Sequence, residues 1–420
     1  MSHRRAFIKS GAIAAFGITI GGVPSFVAKA AAAFKHREVY KKNNILICIF
    51  QRGAMDGLMA VTPYKDEFLK KARPTLFMTP AKSEKNPITD LDGRFGLHPA
   101  FGSLFPLFQS KQMAIVHGIG SPNNTRSHFD AQDFMETGTP FDKGTASGWL
   151  NRAMGCLGKE ATPFRAVSIT SSMPRSLYGH LPVVSVSDLS DFSVRNSQKI
   201  PNGNQVAGGF EDLYDATASG LMKESGKETF EAIKMLSGID VRSYKEASGA
   251  AYSNSSLGKS LKQLAQLIKA DVGMEIGFAE STGWDTHFNQ GTVNGNFARP
   301  ATDLAENINA FWKDLGADLQ DRVTIMTMTE FGRTVKQNGS GGTDHGRASC
   351  NFIIGNDVMG GKVYGDVPLL DPVHLDEGRD LPVTTDFRSV FSNVAAQHLK
   401  LMNCESLFPG WSGEQLRLIH

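Results

Sequence analysis

The chain has 420 residues, 41% hydrophobic and 20% charged, with a formal net charge of +2. This is globular composition with ample length for a large core, and the scattered basic residues exclude a nucleic-acid groove or a polybasic membrane patch. Cys48, Cys156, Cys350 and Cys404 form no CxxC pair, which excludes a zinc ribbon, and they read as buried free thiols.

RRAFIKSG (Arg4 to Gly11) is a twin-arginine signature. An apolar stretch too short and Gly-rich to span a bilayer follows, then the small residues AKAAAA (Ala28 to Ala33). Residues 1–33 are therefore predicted to be a twin-arginine signal peptide, with the translocase as partner during export. The mature protein is expected to be periplasmic or extracellular, without a stable membrane span. Residues 34–420 read as a single α/β domain. ILICIF (Ile45 to Phe50) is a continuous apolar run, the mark of a central parallel strand buried on both faces. Met113–His117, Met274–Ala279, Val323–Met328 and a short Phe352–Ile354 are predicted to join it. The segment from about 181 to 256 is more polar and reads as an insertion, partly helical over 209–236. Leu257, Leu261, Leu264 and Ile268 repeat at helical spacing, as do Leu304, Ile308, Phe311 and Leu315. In the second helix Asp303 is a candidate cap and Gly316 a stop. Strands alternating with helices predict a doubly wound sheet with right-handed crossovers.

Ligands of such sheets bind beyond the carboxyl ends of the strands. There the sequence places Arg52 and Asp56, then Arg126, Ser127, His128 and Asp130, then Asp285 and His287, then Glu330 and Arg333. A Gly-rich loop adds Asp344, His345 and Arg347. Carboxylates and imidazoles bind divalent metals such as zinc, manganese or calcium, and a metal polarises an anionic ester. Ser127 opens a predicted helix whose N-terminus favours an anion or a developing alkoxide. Arg52, Arg126, Arg333 and Arg347 have the chemistry to hold phosphate or sulfate oxygens. Each feature has a plainer reading. WDTH and DHG occur in ordinary turns, Asp56–Gly57 can be a turn, and Ser127 with Asp130 can be a helix cap. His98 and His117 read as core or supporting histidines. No GxSxG elbow appears, which disfavours a serine esterase.

RSHFDAQDFMETG, GWLNR (Gly148 to Arg152), GWDTH, TEFGRT, GTDHGRAS and GGKVYG (Gly360 to Gly365) together resemble a bacterial exported family filed as a domain of unknown function, number 1501. That family is similar, more distantly, to the alkaline phosphatase and sulfatase superfamily. The resemblance implies an alkaline-phosphatase-like, mostly parallel sheet with helices on both faces. It also implies Asp56, Asp285, His287, Glu330 and His345 as metal ligands. Ser127 is the implied nucleophile or anion contact, with Arg126, Arg333 or Arg347 on the non-bridging oxygens. Two placements compete for the superfamily's Asp-His-Gly: Asp344–His345–Gly346 by letters, and the preferred Glu330–Phe331–Gly332 by position. Phe331 then stands where a ligand is expected. Either Asp344, His128 or Asp130 substitutes, or the site holds one metal, or catalysis is lost. The implied function is a metal-dependent hydrolase of a phosphate or sulfate ester. The alternative is a degenerate envelope binding or assembly module, for instance for a polysaccharide.

Overall fold

The structure, a computed structural model, describes residues 43–81, 87–158, 162–189, 244–401 and 404–420. The expected signal peptide and the helix expected over 209–236 lie outside the described residues. The chain divides into two units, residues 1–42 with 188–244, and residues 43–187 with 245–420. The second unit carries everything described below.

In chain order its strands are β1 (Ile45–Gln51), β2 (Val61–Pro63), β3 (Thr89–Asp90), β4 (Phe95–Leu97), β5 (Met113–Gly120), β6 (Ala166–Ile169), β7 (Val184–Val186), β8 (Ile276–Ser281), β9 (Val323–Met328), β10 (Arg333–Gln337), β11 (Thr343–His345), β12 (Ser349–Ile354), β13 (Lys362–Tyr364) and β14 (Thr385–Asp386). The main sheet has the order β13-β5-β12-β9-β1-β8-β6-β7, with β14 also on β5. Its pairs are parallel except those of β12, which runs antiparallel to both β5 and β9. This is a mostly parallel α/β fold. The central runs become strands because every residue of β1, β5, β9 and β12 is buried, so both faces must be apolar. β7 lies inside the segment expected as an insertion, yet it extends the sheet edge beside β6. Its three residues are too few to stand out from their polar surroundings.

Leu46, Cys48 and Phe50 of β1 face a core with Trp149, Leu150, Phe387 and Phe391. The helices Ser256–Lys269 and Ala298–Leu315 bury the apolar stripes read from the sequence. Ser255 caps the first through Gly258 N, and Gly316 ends the second at φ 70°. Asp303 is not the cap: the helix begins at Ala298, and Asp303 instead accepts from Ser253 and Asn307. Cys48 and Cys350 are buried free thiols, whereas Cys156 and Cys404, 248 residues apart, form a disulfide. The free-thiol reading thus fails for that pair, because no local spacing reveals so distant a partner.

His98 and His117 are fully buried. In each, Nδ1 accepts a backbone N–H, from Ala100 at 3.1 Å and Gly118 at 2.9 Å. The Nε2–H therefore donates, to Thr292 O at 3.2 Å and Val61 O at 3.0 Å. These rings are neutral structural groups, and burial pushes both down from 6.5 to about 4. A base with a depressed folded pKa leaves stability intact above the unfolded value. Stability is then lost as pH falls from 6.5 toward 4, because only the unfolded chain takes up the protons. Each ring contributes roughly 3 kcal/mol to that loss. Urea unfolding of metal-free protein should show stability falling by several kcal/mol between pH 7 and pH 4; a flat profile would contradict this assignment.

Candidate metal centre

Parallel strands all end at one edge of the sheet, and the antiparallel β12 begins there. That reversal brings the chain just before β12 to the same edge as the chain just after β5, β8 and β9. After β8, Gly283 at φ 93° turns the chain, and Trp284 buries its ring against Phe297 with Nε1 donating to Ser281 Oγ. Asp285 and His287 are delivered by that anchored corner. After β5, His128 is the first residue of the helix His128–Thr137. Glu330 and Phe331 follow β9, and His345 ends the β10–β11 hairpin.

Three imidazoles meet nitrogen to nitrogen. His345 Nε2 lies 3.0 Å from His128 Nε2 and 2.8 Å from His287 Nε2. Asp285 Oδ1 lies 3.1, 3.5 and 3.7 Å from the Nε2 atoms of His287, His345 and His128. The opposite nitrogens all face acceptors. His128 Nδ1 meets Glu330 Oε1 at 2.8 Å, His287 Nδ1 meets Asp344 Oδ1 at 3.1 Å, and His345 Nδ1 meets Arg126 O at 2.9 Å. A neutral ring has one N–H, and here the Nδ1 atoms use it. The Nε2 lone pairs therefore point at one another and at a carboxylate oxygen. Such an arrangement suits a cation between the rings, and the outer acceptors are of the kind that orient metal-bound histidines.

The spacing fits. Tetrahedral ligands about 2.1 Å from a zinc-sized ion stand ~3.4 Å apart. The observed separations, 2.8 to 3.7 Å, bracket that value. The ligand atoms of His128, Asp285 and His345 all lie within 4.8 Å of one another, and His287 joins this set through Asp285 and His345. His345 stays neutral more readily than an ordinary histidine, because burial and the neighbouring His128 push it down. Burial works to raise Asp285, but the Arg333 guanidinium 2.5 Å away outweighs it and holds the carboxyl below its usual range. Burial likewise opposes the charge on Glu330, and the bonds from His128, Gln132 and Gly53 N overcome it. Asp344 is held low by Asn338, against burial and with help from His287. Both shifts, at Asp285 and at His345, are in the direction that binding of a divalent cation requires.

Several residues take roles other than those expected from sequence. His128, expected only as a substitute, sits in the cluster. Glu330 stands behind it at Nδ1, and Asp344 stands behind His287. Phe331 is buried and stacks on His128 with centroids 5.0 Å apart, and its ring lies 5.1 Å from His345. It is the apolar wall that fixes two imidazole planes. Asp56 is placed apart from the cluster. Its carboxylate accepts two bonds from Arg73, at 2.8 and 3.1 Å, and one from Gln290 at 2.7 Å, and it caps Met59 N. Asp130 pairs with Lys143 at 2.6 Å.

The arginines are also committed. Arg126 binds Asp380 and Glu377, Arg347 binds Asp376, and Arg52 binds Glu136 and Glu280. Arg333 is buried and spans Ala54 O, Gly53 O, Trp284 O and Asp285. Gly53, at φ 115°, allows that contact, since a Cβ there would lie 2.7 Å from Asp285 N. Ser127 is exposed, and its hydroxyl makes no cap bond to the helix it precedes. Sequence reading misses Gln132, which bridges Arg52 and Glu330. Its position four residues after His128 puts it on the same helix face, the one signal that reveals it.

A family profile described as "Protein of unknown function (DUF1501)" matches residues 114–407, which carry every residue of the cluster. The chain belongs to the DUF1501 family. Asp56 and β1 precede the matched span. No curated protein matches this DUF1501 chain. Among solved structures it is similar to the alkaline phosphatase of the Antarctic bacterium TAB5, at 10% identity and TM-score 0.31, over 76% of this chain and 93% of that one. It is also similar to the lipoteichoic acid synthase LtaP from Listeria monocytogenes, at 10% identity and TM-score 0.33, over 88% and 79%. A third is PH0037 from Pyrococcus horikoshii, at 12% identity and TM-score 0.28, over 74% and 86%. These likenesses concern fold and specify no activity.

Two variants separate the carboxylates behind the rings from those elsewhere. Glu330→Gln should weaken divalent-metal binding about 10- to 100-fold by calorimetry. Asp56→Asn should leave metal stoichiometry unchanged but cost about 3–5 kcal/mol in urea unfolding, because Arg73 is left buried without its partner charge. Unchanged metal affinity in the first, or lost metal in the second, would reverse these assignments.

Proposed function

We propose that this DUF1501 protein is an exported, metal-dependent hydrolase of a phosphate or sulfate ester. The carrying observation is the convergence of three bare Nε2 atoms and Asp285 Oδ1 at an open site, where the Asp285 side chain is 49% exposed. His128, His287, His345 and Asp285 would hold the cation, whose Lewis acidity would polarise an ester oxygen. Ser127 precedes His128 directly, with an unbonded hydroxyl at the N-terminus of the helix His128–Thr137. That position supports its role as nucleophile, since the helix end favours its alkoxide. Arg333 orients Asp285, whereas Arg126 and Arg347 hold the loop of Asp376, Glu377 and Asp380. Anion recognition then falls to the cation and the helix end rather than to those two guanidiniums.

Export is supported by the twin-arginine signature and by the Cys156–Cys404 disulfide, since such bonds persist in oxidising compartments. Among the described residues no helix is long and apolar enough to cross a membrane. The commitment of the arginines favours one rival: an envelope binding or assembly module that uses the metal site to grip a polysaccharide.

Hydrolysis of 4-nitrophenyl phosphate and sulfate esters by metal-loaded protein decides between these. Chelator and His345→Ala should abolish turnover, and Ser127→Ala should lower kcat by at least about a hundredfold while metal stays bound. Wild-type rates in both variants would overturn the proposal, and chelator-indifferent polysaccharide binding would favour the rival.

A further inference from the structure

The charges around the cluster narrow the ester that it suits. Asp285, Glu330 and Asp344 touch the rings or their supports, and Asp376, Glu377 and Asp380 lie in the loop behind them. Opposite them stand Arg333, Arg126, Arg347 and Arg379, the last bonded to Asp380 and to His345 O. With the rings neutral, as metal ligands must be, six carboxylates face four guanidiniums. A divalent cation brings that set to neutrality and leaves no positive surplus. One layer further out Arg52 is outnumbered by Glu136 and Glu280. With no positive surplus beside the cation, the second negative charge of a dianion would find no partner here, whereas a single charge would be met by the cation.

Two exposed aromatic residues adjoin the cluster in the chain. Phe129 follows His128 and Phe288 follows His287, and the two residues are 89% and 64% exposed. Adjacent Cα atoms are ~3.8 Å apart, so the first turn of the helix His128–Thr137 and the loop after β8 each place an exposed aromatic residue next in the chain to a histidine of the cluster. Large exposed aromatics at the border of a site gain by burying against a ligand.

We infer that the ester taken by this site carries one negative charge and an apolar or aromatic substituent, as in a phosphodiester or a sulfate monoester, rather than being a phosphomonoester dianion. This rests on the hydrolase reading above and names its substrate class.

Binding of non-hydrolysable analogues tests it without requiring turnover. Calorimetry on the metal-loaded mature protein at pH 8.5 would compare phenylphosphonate, a dianion, with its monomethyl ester, a monoanion. The monoester should bind at least about tenfold more tightly. In a Phe129→Ala/Phe288→Ala variant, affinity for the phenyl monoester should fall several-fold, while affinity for methyl methylphosphonate stays unchanged. Both positions are exposed, so the variant keeps its fold, checked by circular dichroism. Tighter binding of the dianion, no binding of either analogue, or equal loss of the phenyl and methyl ligands would overturn the inference. The expected preference without turnover of bis(4-nitrophenyl) phosphate or 4-nitrophenyl sulfate would sink the hydrolase reading alone. If turnover occurs, the faster of those two esters identifies the phosphate or sulfate source.

Discussion

Electron-rich atoms held face to face are the constraint on which this structure depends. Neutral imidazole nitrogens 2.8 to 3.0 Å apart, each with its proton on the far side, repel one another unless a positive charge lies between them. Among the described residues no lysine or arginine bonds the ring nitrogens, and Arg333 reaches Asp285 and not the rings. What the fold supplies is restraint. Glu330, Asp344 and Arg126 O fix the tautomers, and Phe331 fixes two ring planes. Arg333 ties Asp285 to the backbone after β1. The buried Arg73–Asp56 pair, also bonded to Thr334 O and Val335 O, locks β10, whose hairpin partner β11 carries His345.

Sheet topology makes the meeting possible. Had β12 run parallel to its neighbours, the segment before it would have started at the opposite edge, far from Asp285 and His287. Its reversal lets a short hairpin return His345 to the edge where β5, β8 and β9 release His128, Asp285 and Glu330. A second consequence is electrostatic. The loop of Asp376 to Asp380 binds Arg126 and Arg347, and its own Arg379 pairs with Asp380, so the positive residues Arg126 and Arg347 beside the site in sequence are spent on structure.

The central strands are legible in the sequence because burial on both faces forces unbroken apolar runs, as in β1 and β9. The loops that reach the site are legible because carboxylates, imidazoles and glycines gather where packing does not call for them. Strand direction is not legible: Phe352 and its neighbours read alike in either orientation. Pairings across long sequence distances are equally hidden. Asp56 resembles a ligand until Arg73 is seen to occupy it, Cys156 resembles a lone thiol until Cys404 is placed beside it, and Phe331 resembles a lost ligand until it is seen stacked on His128. In each case the partner, rather than the residue, carries the information.

The central claim is that His128, His287, His345 and Asp285 enclose a cation through their Nε2 and Oδ1 atoms. Anomalous diffraction at the zinc edge, from crystals of mature protein purified without chelator and supplied with zinc, tests it most directly. One peak within bonding distance of those four residues, with each Nδ1 still on its outer acceptor, is the predicted result. A peak elsewhere, or no peak with the rings turned so that Nε2 carries the proton, would contradict it.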